Sequence, residues 1–405
     1  MNVADTLLEM IPRLPKVLLH DHLDGGLRPE TVITLAAAVG HKLPTTDPSA
    51  LADWFHVGGG ITQSSLEQYL EAFAHTVAVM QTADALRQVA REAVLDLAAD
   101  NVIYTEQRWA PEQHQAGGLS LDDAVVAVQQ GLAEGMKAAA QSGHFIMARQ
   151  ILCAMRQNDR WDEIADLTAR HLNPDQPGGV VGFDLAGPEA GFPASLRPEV
   201  FRRLAEQHVP VTIHAGEGDG VASISSAIQV GRAVRLGHGV RITDDIGGFC
   251  ETSGFSLGEL QGFSCNESPG LSPSEAPGLS PKITLGPTAN WVRDRPIPLE
   301  VAPSSNLQTG AASATNYRNH PITRLKNAGF TVTVNTDNRL MSRTSMSGEM
   351  QHLVTDAGWD LPSLQEVTLN AARAAFIHAP LRNKLIAKKI LPDYRKAAQV
   401  LGRAS

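Results

Sequence analysis

The stretch VTIHAGEGDG, residues 211–220, predicts the end of a buried strand that carries chemically active side chains. Three β-branched residues favour a strand that runs into His214, and a glycine-rich turn then holds Glu217. Gly216 and Gly218 allow the backbone to approach a ligand closely. A histidine at a strand end with a carboxylate three residues later suits a metal ion beside an acid. By itself the pattern is weak, because a buried histidine beside a turn is more often only hydrogen-bonded.

Seven other segments have strand-like patterns, and helical patterns separate most of them. The strand-like segments are 17–22, 101–109, 144–152, 179–185, 233–238, 297–302 and 330–337, and the helical ones include 121–141, 160–171, 197–207 and 221–231. Together with 209–214 this makes eight strands alternating with helices, which predicts an α/β fold of the (β/α)8 TIM barrel type. No glycine-rich dinucleotide fingerprint follows the first strand, so an open nucleotide-binding sheet is disfavoured.

Additional helices are predicted around this core. Pro29 opens one that runs to about Val39, and apolar residues recur at helical spacing at 66, 69, 70, 73, 77 and 80 and again over 86–97. Residues 363–401 have a polar helical pattern, and we expect them to pack on the outside of the barrel. The whole chain, 1–405, is therefore interpreted as one catalytic domain with peripheral helices.

One segment, 247–288, breaks the alternation. Of its 42 residues 20 are Gly, Ser or Pro, and the sequence PGLSP occurs twice, at 269–273 and 277–281. Such a composition buries too little apolar surface to fold alone. The segment follows the sixth strand, so it is expected to emerge on the catalytic face. A tolerated surface insertion is the favoured interpretation, and a substrate lid is the alternative.

The titratable residues at the predicted strand ends form one set. In a barrel of this kind the active site lies at the carboxyl ends of the strands, where the sequence places His20, His22, His214, Glu217, His238 and Asp337. Alternate residues on a strand share a face, so the imidazoles of His20 and His22 can reach one point. Three imidazoles and a carboxylate suit zinc, which lowers the pKa of a bound water to about 7. An H-x-H pair or a lone histidine in LGHG proves little alone, but their joint placement indicates a metal site.

Composition argues against several other classes of protein. The net charge is −9, the pI is about 5.9 and no dense Lys/Arg run occurs, which disfavours a nucleic-acid or acidic-membrane surface as the main partner. Three cysteines are too few and odd in number for a disulfide framework, which favours a reducing compartment. No signal-peptide or membrane-spanning pattern is found. We therefore expect a soluble cytoplasmic protein, with its oligomeric state left open.

Five segments in this order resemble the signature segments of adenosine deaminases. They are HDHLDGG (20–26), HAGEGDG (214–220), RLGHGVRI (235–242), PSSNLQTG (303–310) and NTDN (335–338). The resemblance extends from about residue 12 to 375 apart from the 247–288 segment. HAGE, LGHG and the strand-8 TD are its specific parts. It implies a (β/α)8 barrel with one zinc ion per chain that hydrolyses the 6-amino group of adenosine, and of 2′-deoxyadenosine, to give inosine and ammonia.

The resemblance also implies a role for each matching residue. The metal ligands would be His20, His22, His214 and Asp337. Glu217 would donate a proton to purine N1, His238 would orient the water and help to deprotonate it, and Asp337 would also accept a proton from that water. The expected substrate contacts are the ribose contact of Asp24, the backbone contact of Gly187 to the base, and contacts from His22 and Asn338.

Two single positions depart from the family pattern. Asn338 stands where a second aspartate usually hydrogen-bonds purine N7. An aspartate must be protonated to donate to N7, whereas an amide NH2 donates without that requirement, so we expect activity to persist with a shift in base selectivity. Ala302 stands where relatives often have cysteine, and this packing position changes little.

Other functions remain as alternatives on the sequence alone. The same barrel could deaminate adenine itself or a modified aminopurine, although Asp24 favours a ribose-bearing substrate. It could also be a non-catalytic binding protein, although every expected ligand and acid is present. A two-metal hydrolase on a similar barrel would need a residue that bridges the two metal ions, commonly a modified lysine, at the end of strand 4, and the segment FDLAG has no lysine. Cytidine-type zinc deaminases carry a P-C-x-x-C motif, which the sequence lacks.

Overall fold

The computed structural model describes residues 3–56, 72–247 and 283–403. Ten strands are found in these ranges, and eight of them run parallel around a barrel. The barrel strands are β1 (Lys16–His22), β2 (Val102–Trp109), β3 (Met147–Met155), β4 (Val180–Ala186), β5 (Thr212–Ala215), β6 (Arg235–His238), β9 (Leu299–Val301) and β10 (Val332–Val334). The short strands β7 (Ile246–Gly247) and β8 (Thr284–Leu285) lie between β6 and β9 and pair with each other in antiparallel fashion.

The barrel is closed by two links between four-stranded parallel sheets. One sheet has the order β1-β2-β3-β4 and the other β10-β9-β6-β5. A parallel bridge from Phe183 to Val211 joins β4 to β5, and a bridge from Asp21 to Asp337 joins β1 to the chain after β10. At the second link His22 N donates to Asp337 O at 2.7 Å and Asp337 N donates to His20 O at 2.9 Å. These bonds confirm the predicted (β/α)8 barrel and place its first and last strands side by side.

Helices surround the strands within the described ranges. Those of the α type are Val3–Met10, Pro29–Val39, Pro48–His56, Phe73–Val79, Ala83–Ala99, Leu121–Gln141, Trp161–His171, Pro198–Glu206, Val221–Gln229, Pro287–Asp294, Pro303–Gln308, Ile322–Asn327, Met346–Ala357, Leu361–Ala374, Ala379–Leu385 and Leu391–Leu401. A π-helical turn, Ile386–Ile390, joins the last two. No helix in the described parts of the chain is both long and apolar enough to cross a membrane.

The predicted elements are confirmed with small shifts at their ends. The helix predicted at 121–141 is found with those bounds, whereas the strand predicted at 144–152 is displaced to Met147–Met155. The strand predicted at 330–337 ends at Val334, and three residues later Asp337 has a left-handed backbone (φ 57°), which is not a strand conformation. The predicted helical positions 66, 69 and 70 lie outside the described residues.

The carboxyl-terminal helices pack against the barrel and against each other, as predicted. The Asn370 Nδ2 amide in the helix Leu361–Ala374 donates to the Val332 carbonyl of β10 at 3.1 Å. The Tyr394 hydroxyl, in the last helix, lies 2.9 Å from the Thr368 hydroxyl. These contacts support β10 from outside, directly before the chain reaches Asp337.

The predicted 247–288 segment begins and ends in regular structure. Gly247 pairs with Thr284 and Ile246 with Leu285 in the β7–β8 ladder, and Pro287 opens the next helix. Residues 248–282 lie outside the described residues, so the choice between a surface insertion and a lid stays a prediction.

Buried charges fill the middle of the barrel. Arg108 bonds to Asp184 at 2.9 Å and to Glu300 at 2.6 Å, and Arg235 bonds to Glu300 and to Glu106, each at 2.6 Å. These five side chains are at most 1% exposed. Each buried charge has a counter-charge, as a low-dielectric interior requires. The network lies directly beneath the strand ends that carry the predicted site.

Candidate active site

The four predicted metal ligands converge at the carboxyl ends of the barrel strands. Asp337 Oδ1 lies 3.1 Å from His20 Nε2 and 3.4 Å from His22 Nε2, and His22 Nε2 lies 3.2 Å from His214 Nε2. Two ligands held about 2.0–2.1 Å from a tetrahedral zinc ion are about 3.3 Å apart, so this spacing fits such an ion. His20 Nε2 is buried and faces the Asp337 carboxylate. The donor set and its spacing therefore fit a divalent metal.

His238 lies near the same point but is already engaged. Single ligand atoms of His20, His214, His238 and Asp337 all lie within 4.8 Å of one another. However, His238 Nδ1 is 2.9 Å from Asn306 Nδ2 and its Nε2 is 3.2 Å from Glu217 Oε2. Both ring nitrogens of His238 thus have protein partners, and His22 stays the predicted fourth ligand.

The backbone at two strand ends turns these side chains inward. His238 and Asp337 have positive φ angles of 62° and 57°, a region that few non-glycine residues adopt. Such strained conformations cluster at functional sites, where the surrounding structure holds them. Here the two main-chain hydrogen bonds between Asp337 and β1 supply part of that support.

Each of three ligands is oriented by a second side chain. His20 Nδ1 lies 3.1 Å from Glu300, His214 Nδ1 lies 3.0 Å from Asp184, and the Ser305 hydroxyl donates to Asp337 Oδ2 at 2.6 Å. Partners of this kind fix the tautomer and the direction of a ligating imidazole. Arg108 contacts both carboxylates, so one buried cation connects the partners of two ligands.

The electrostatics act differently on the four predicted ligands. Burial is the largest cause that lowers the pKa of His20 and of His22, and this favours the neutral form that an imidazole needs to bind a metal. Burial would raise the pKa of Asp337, but the hydrogen bond and charge of His20 outweigh it and hold that pKa well below its usual value. At His214 burial acts to lower the pKa, and the Asp184 carboxylate reverses this to a net rise.

Glu217 has the surroundings of a proton donor. Its side chain is 6% exposed and accepts a hydrogen bond from the Thr309 hydroxyl at 3.0 Å, while its other oxygen faces His238. Burial is the largest cause of a raised pKa at Glu217. A carboxyl group with a raised pKa keeps its proton closer to neutral pH, as a general acid must.

The loop that carries Glu217 is held by a buried carboxylate and a buried guanidinium. Glu189, on the loop after β4, accepts hydrogen bonds from four successive backbone N–H groups, those of residues 216–219, at 2.5–3.1 Å. Arg156 donates to the carbonyl of His214 from the other side. The position of Glu217 is thereby fixed relative to His214.

The predicted substrate contacts line the cavity above these groups. His22, Asp24, Gly187 and Asn338 all face it, together with the apolar side chains of Phe73, Ala110, Cys153, Met155 and Ala186. Asp24 is 4% exposed, and burial raises its pKa to about 7. Gly187 has φ +96°, and a Cβ there would lie 2.6 Å from Gln157 Oε1, so only glycine fits easily. The cavity is thus lined by both polar and apolar side chains.

A family model described as adenosine deaminase matches residues 15–390. The chain belongs to the adenosine deaminase family. Its sequence is 46% identical over 387 residues to adenosine deaminase 1 of Streptomyces coelicolor, which covers 95% of this chain and 88% of that protein. It is 48% identical over 388 residues to the adenosine deaminase of Mycolicibacterium gilvum, with 96% and 97% coverage. These matches confirm the resemblance drawn from the five signature segments.

Solved structures with the same fold are more distant in sequence. A zinc-bound amidohydrolase from Burkholderia ambifaria has a TM-score of 0.77 at 20% identity and covers all of this chain and 96% of that one. Adenine deaminase from Arthrobacter aurescens has a TM-score of 0.74 at 21% identity, covering 95% and 99%. At this identity the likeness supports the barrel fold. Family membership supports a hydrolytic deaminase, and the His/Asp cluster could hold a metal ion.

Sequence reasoning missed the residues that orient the adenosine deaminase family site. Asp184 and Glu300 carry a signal, because each is a charge inside an otherwise apolar strand segment, FDLA and LEV. Ser305, Asn306 and Thr309 lie in PSSNLQTG, which entered the prediction only as a family likeness. Only the fold shows that this one segment touches side chains from three other strand ends.

Proposed function

We propose that this chain hydrolyses adenosine, and 2′-deoxyadenosine, to inosine and ammonia. The observation that carries the proposal is the convergence of four ligand atoms with Glu217 and His238 at one cavity. The relatives named adenosine deaminase support the same reaction.

One zinc ion per chain would be held by His20, His22, His214 and Asp337, whose spacing fits it. When bound, zinc lowers the pKa of a coordinated water to about 7, which makes hydroxide available at neutral pH. The other steps belong to the protein. Glu300 and Asp184 would fix the tautomers of His20 and His214 that leave Nε2 free to bind the ion, and the ionised Asp337 carboxylate would be available to accept a proton from the water.

Glu217 would provide the proton that the ring needs. Attack at C6 of the purine requires N1 to be protonated, because this turns the ring into an electron-accepting C=N bond. The buried Glu217 carboxyl holds a proton for N1 and can return one to the departing amine. His238 lies 3.2 Å from that carboxyl, where it can orient the attacking oxygen and stabilise its charge.

The cavity favours a nucleoside over a nucleotide. The described residues that line it include four carboxylates, those of Asp24, Glu189, Glu217 and Asp337, and neither lysine nor arginine. A phosphate group would therefore meet no counter-charge from these residues, and its entry would be opposed. Asp24 would instead bind a ribose hydroxyl, Gly187 the base through its backbone, and Asn338 purine N7 through its amide.

We also propose that residues 1–405 form a single catalytic domain in which the segment around 247–288 is an insertion. The low, odd cysteine count supports a cytoplasmic location.

An ammonia-release assay on adenosine, 2′-deoxyadenosine, adenine and AMP tests the proposal, with metal analysis of the same sample. We expect turnover of the two nucleosides, little turnover of adenine or AMP, and one zinc per chain. Turnover of adenine or AMP in preference to adenosine would show that the assigned substrate is wrong. A stoichiometric metal content without any ammonia release would contradict the enzymatic assignment.

A further inference from the structure

Thr309 occupies a position from which it can serve the Glu217 carboxyl in two ways. It follows the helix Pro303–Gln308, and its hydroxyl lies 3.0 Å from Glu217 Oε1 and 3.2 Å from the carbonyl oxygen of Ser305. A hydroxyl has one hydrogen to donate and lone pairs to accept with. It can therefore donate to only one of these two oxygens at a time.

The Thr309 hydroxyl can donate its hydrogen bond to Glu217 Oε1 or to the Ser305 carbonyl, and the two choices correspond to the ionised and the protonated form of Glu217. When Glu217 is ionised, the hydroxyl can donate to Oε1 and stabilise the carboxylate, since hydrogen bonds to charged groups are the stronger ones. When Glu217 is protonated, the hydroxyl can turn and donate to the Ser305 carbonyl. Its lone pair then faces Oε1 and can accept the carboxyl proton. Both orientations leave each polar atom with a partner.

We infer that Thr309 is a positioning residue that supports Glu217 in both of the protonation states through which catalysis must take it. The inference rests on the proposed function, in which the Glu217 O–H bond breaks as an N–H bond forms at purine N1. The bonding electron pair remains on the carboxylate oxygen. Before substrate binds, Thr309 can accept a hydrogen bond from the carboxyl O–H; in the complex that O–H points to N1, and after the transfer Thr309 donates a hydrogen bond to the new carboxylate.

Among the described contacts of the Glu217 carboxyl, the one with Thr309 is suited to both protonation states. The other Glu217 oxygen faces His238 Nε2, and His238 Nδ1 is held by the Asn306 amide. Ser305 of the same segment bonds to Asp337. The segment 303–310 therefore contacts three proposed catalytic groups. Of these contacts, the one from the Thr309 hydroxyl has a second acceptor, the Ser305 carbonyl, within hydrogen-bonding distance.

Replacing Thr309 with valine tests the inference, because valine keeps the shape and removes the hydroxyl. For Thr309→Val we expect kcat for adenosine to fall about 10- to 100-fold, the cost of losing one hydrogen bond to a charged group. KM should stay within about threefold, because the lost contact acts in the reaction and not in substrate binding. Thr309→Ser keeps the hydroxyl and should restore most of the loss.

A matched control and a second background separate this role from a structural one. Thr355 is exposed and makes the same kind of bond to the carbonyl four residues earlier, Gln351 O at 2.9 Å, far from Glu217 in sequence. Thr355→Val should leave kcat unchanged. In a Glu217→Gln background, where no proton cycles, Thr309→Val should cost at most about twofold, because interacting residues are not additive.

Each outcome decides between the alternatives. Equal losses from Thr309→Val in both backgrounds, or a serine variant as slow as the valine variant, would overturn the inference. So would an unchanged kcat in Thr309→Val. If the wild-type chain releases no ammonia from adenosine, the proposed function fails instead, and the two failures are thus distinguished.

Discussion

At the scale of single residues, the proposed proton transfer depends on Glu217. Replacing Glu217 with glutamine keeps the size and the hydrogen-bonding capacity but removes the transferable proton. We expect kcat to fall about 100- to 10,000-fold, the usual contribution of a general acid. Metal content should be unchanged, because Glu217 is not among the four converging ligands. Loss of zinc together with activity would show that Glu217 supports the metal instead.

The same residue predicts the direction of the pH dependence. Burial raises the pKa of Glu217, and only its protonated form can donate to N1. The kcat/KM of the wild-type enzyme should therefore be high below this raised pKa and fall as pH rises through it. The Glu217→Gln variant should lose this alkaline fall. If kcat/KM of the variant still falls at alkaline pH, the fall belongs to another ionisable group.

Asn338 gives the second residue-scale prediction. It is 3% exposed, lines the cavity and leaves no room for a Cβ at Gly25, whose Cβ would lie 2.0 Å from Asn338 Oδ1. In Asn338→Asp the side chain must be protonated to donate to purine N7. We expect kcat/KM for adenosine to fall about tenfold, an effect of one hydrogen bond, with a larger loss as pH rises.

A substrate without N7 provides the control for Asn338. With 7-deazaadenosine the wild-type and Asn338→Asp enzymes should have similar kcat/KM, because neither can make the contact. An unchanged kcat/KM for adenosine in the variant would show that position 338 does not read the base.

At the scale of elements, the β7–β8 ladder makes the intervening segment removable. Gly247 and Thr284 are paired neighbours, so a short Asn-Gly turn can replace residues 248–282 without separating the strands on either side. We expect kcat and KM for adenosine to stay within a few-fold, because the Gly/Ser/Pro-rich composition indicates an inert insertion. A large rise in KM would favour the alternative, a lid over the substrate.

At the scale of the whole molecule, the buried ion network connects stability to the site. Replacing Arg108 with methionine leaves Asp184 and Glu300 without their shared cation, and breaking a buried pair costs about 3–5 kcal/mol. Chemical denaturation should show a loss of this size, together with weaker zinc binding through His20 and His214. Arg202→Met, at an exposed ion pair, is the matched control and should unfold like the wild type. Wild-type stability in Arg108→Met would contradict the assigned role.

The barrel was predictable from the sequence because its signals are local and repeated. Apolar strand segments alternate with helices, and the helix at 121–141 even has its predicted bounds. The convergence of the predicted metal ligands could be expected from the sequence because each lies at or just beyond a strand end, where a parallel barrel brings distant residues together. Strand bounds were less certain, as in β3 and β10, because propensity does not show where a backbone such as that of Asp337 leaves the sheet.

The orienting residues depend on long-range contacts, so the sequence could not assign them. Ser305, Asn306 and Thr309 contact Asp337, His238 and Glu217 across 32, 68 and 92 positions of sequence. Glu189 bonds to backbone N–H groups, which every residue has and no pattern singles out. Contacts of this kind depend on the register of the eight strands in the closed barrel.

The main-chain junction between β1 and Asp337 has a consequence for how the enzyme is made. Two of the proposed ligands lie on the first barrel strand and one lies just beyond the last, so a nascent chain that ends before Asp337 lacks part of the proposed metal site. We therefore expect the polypeptide to be inactive during translation until β1 and the segment at Asp337 have paired. Ammonia release would then begin only after the barrel has closed, and it would report the completion of folding.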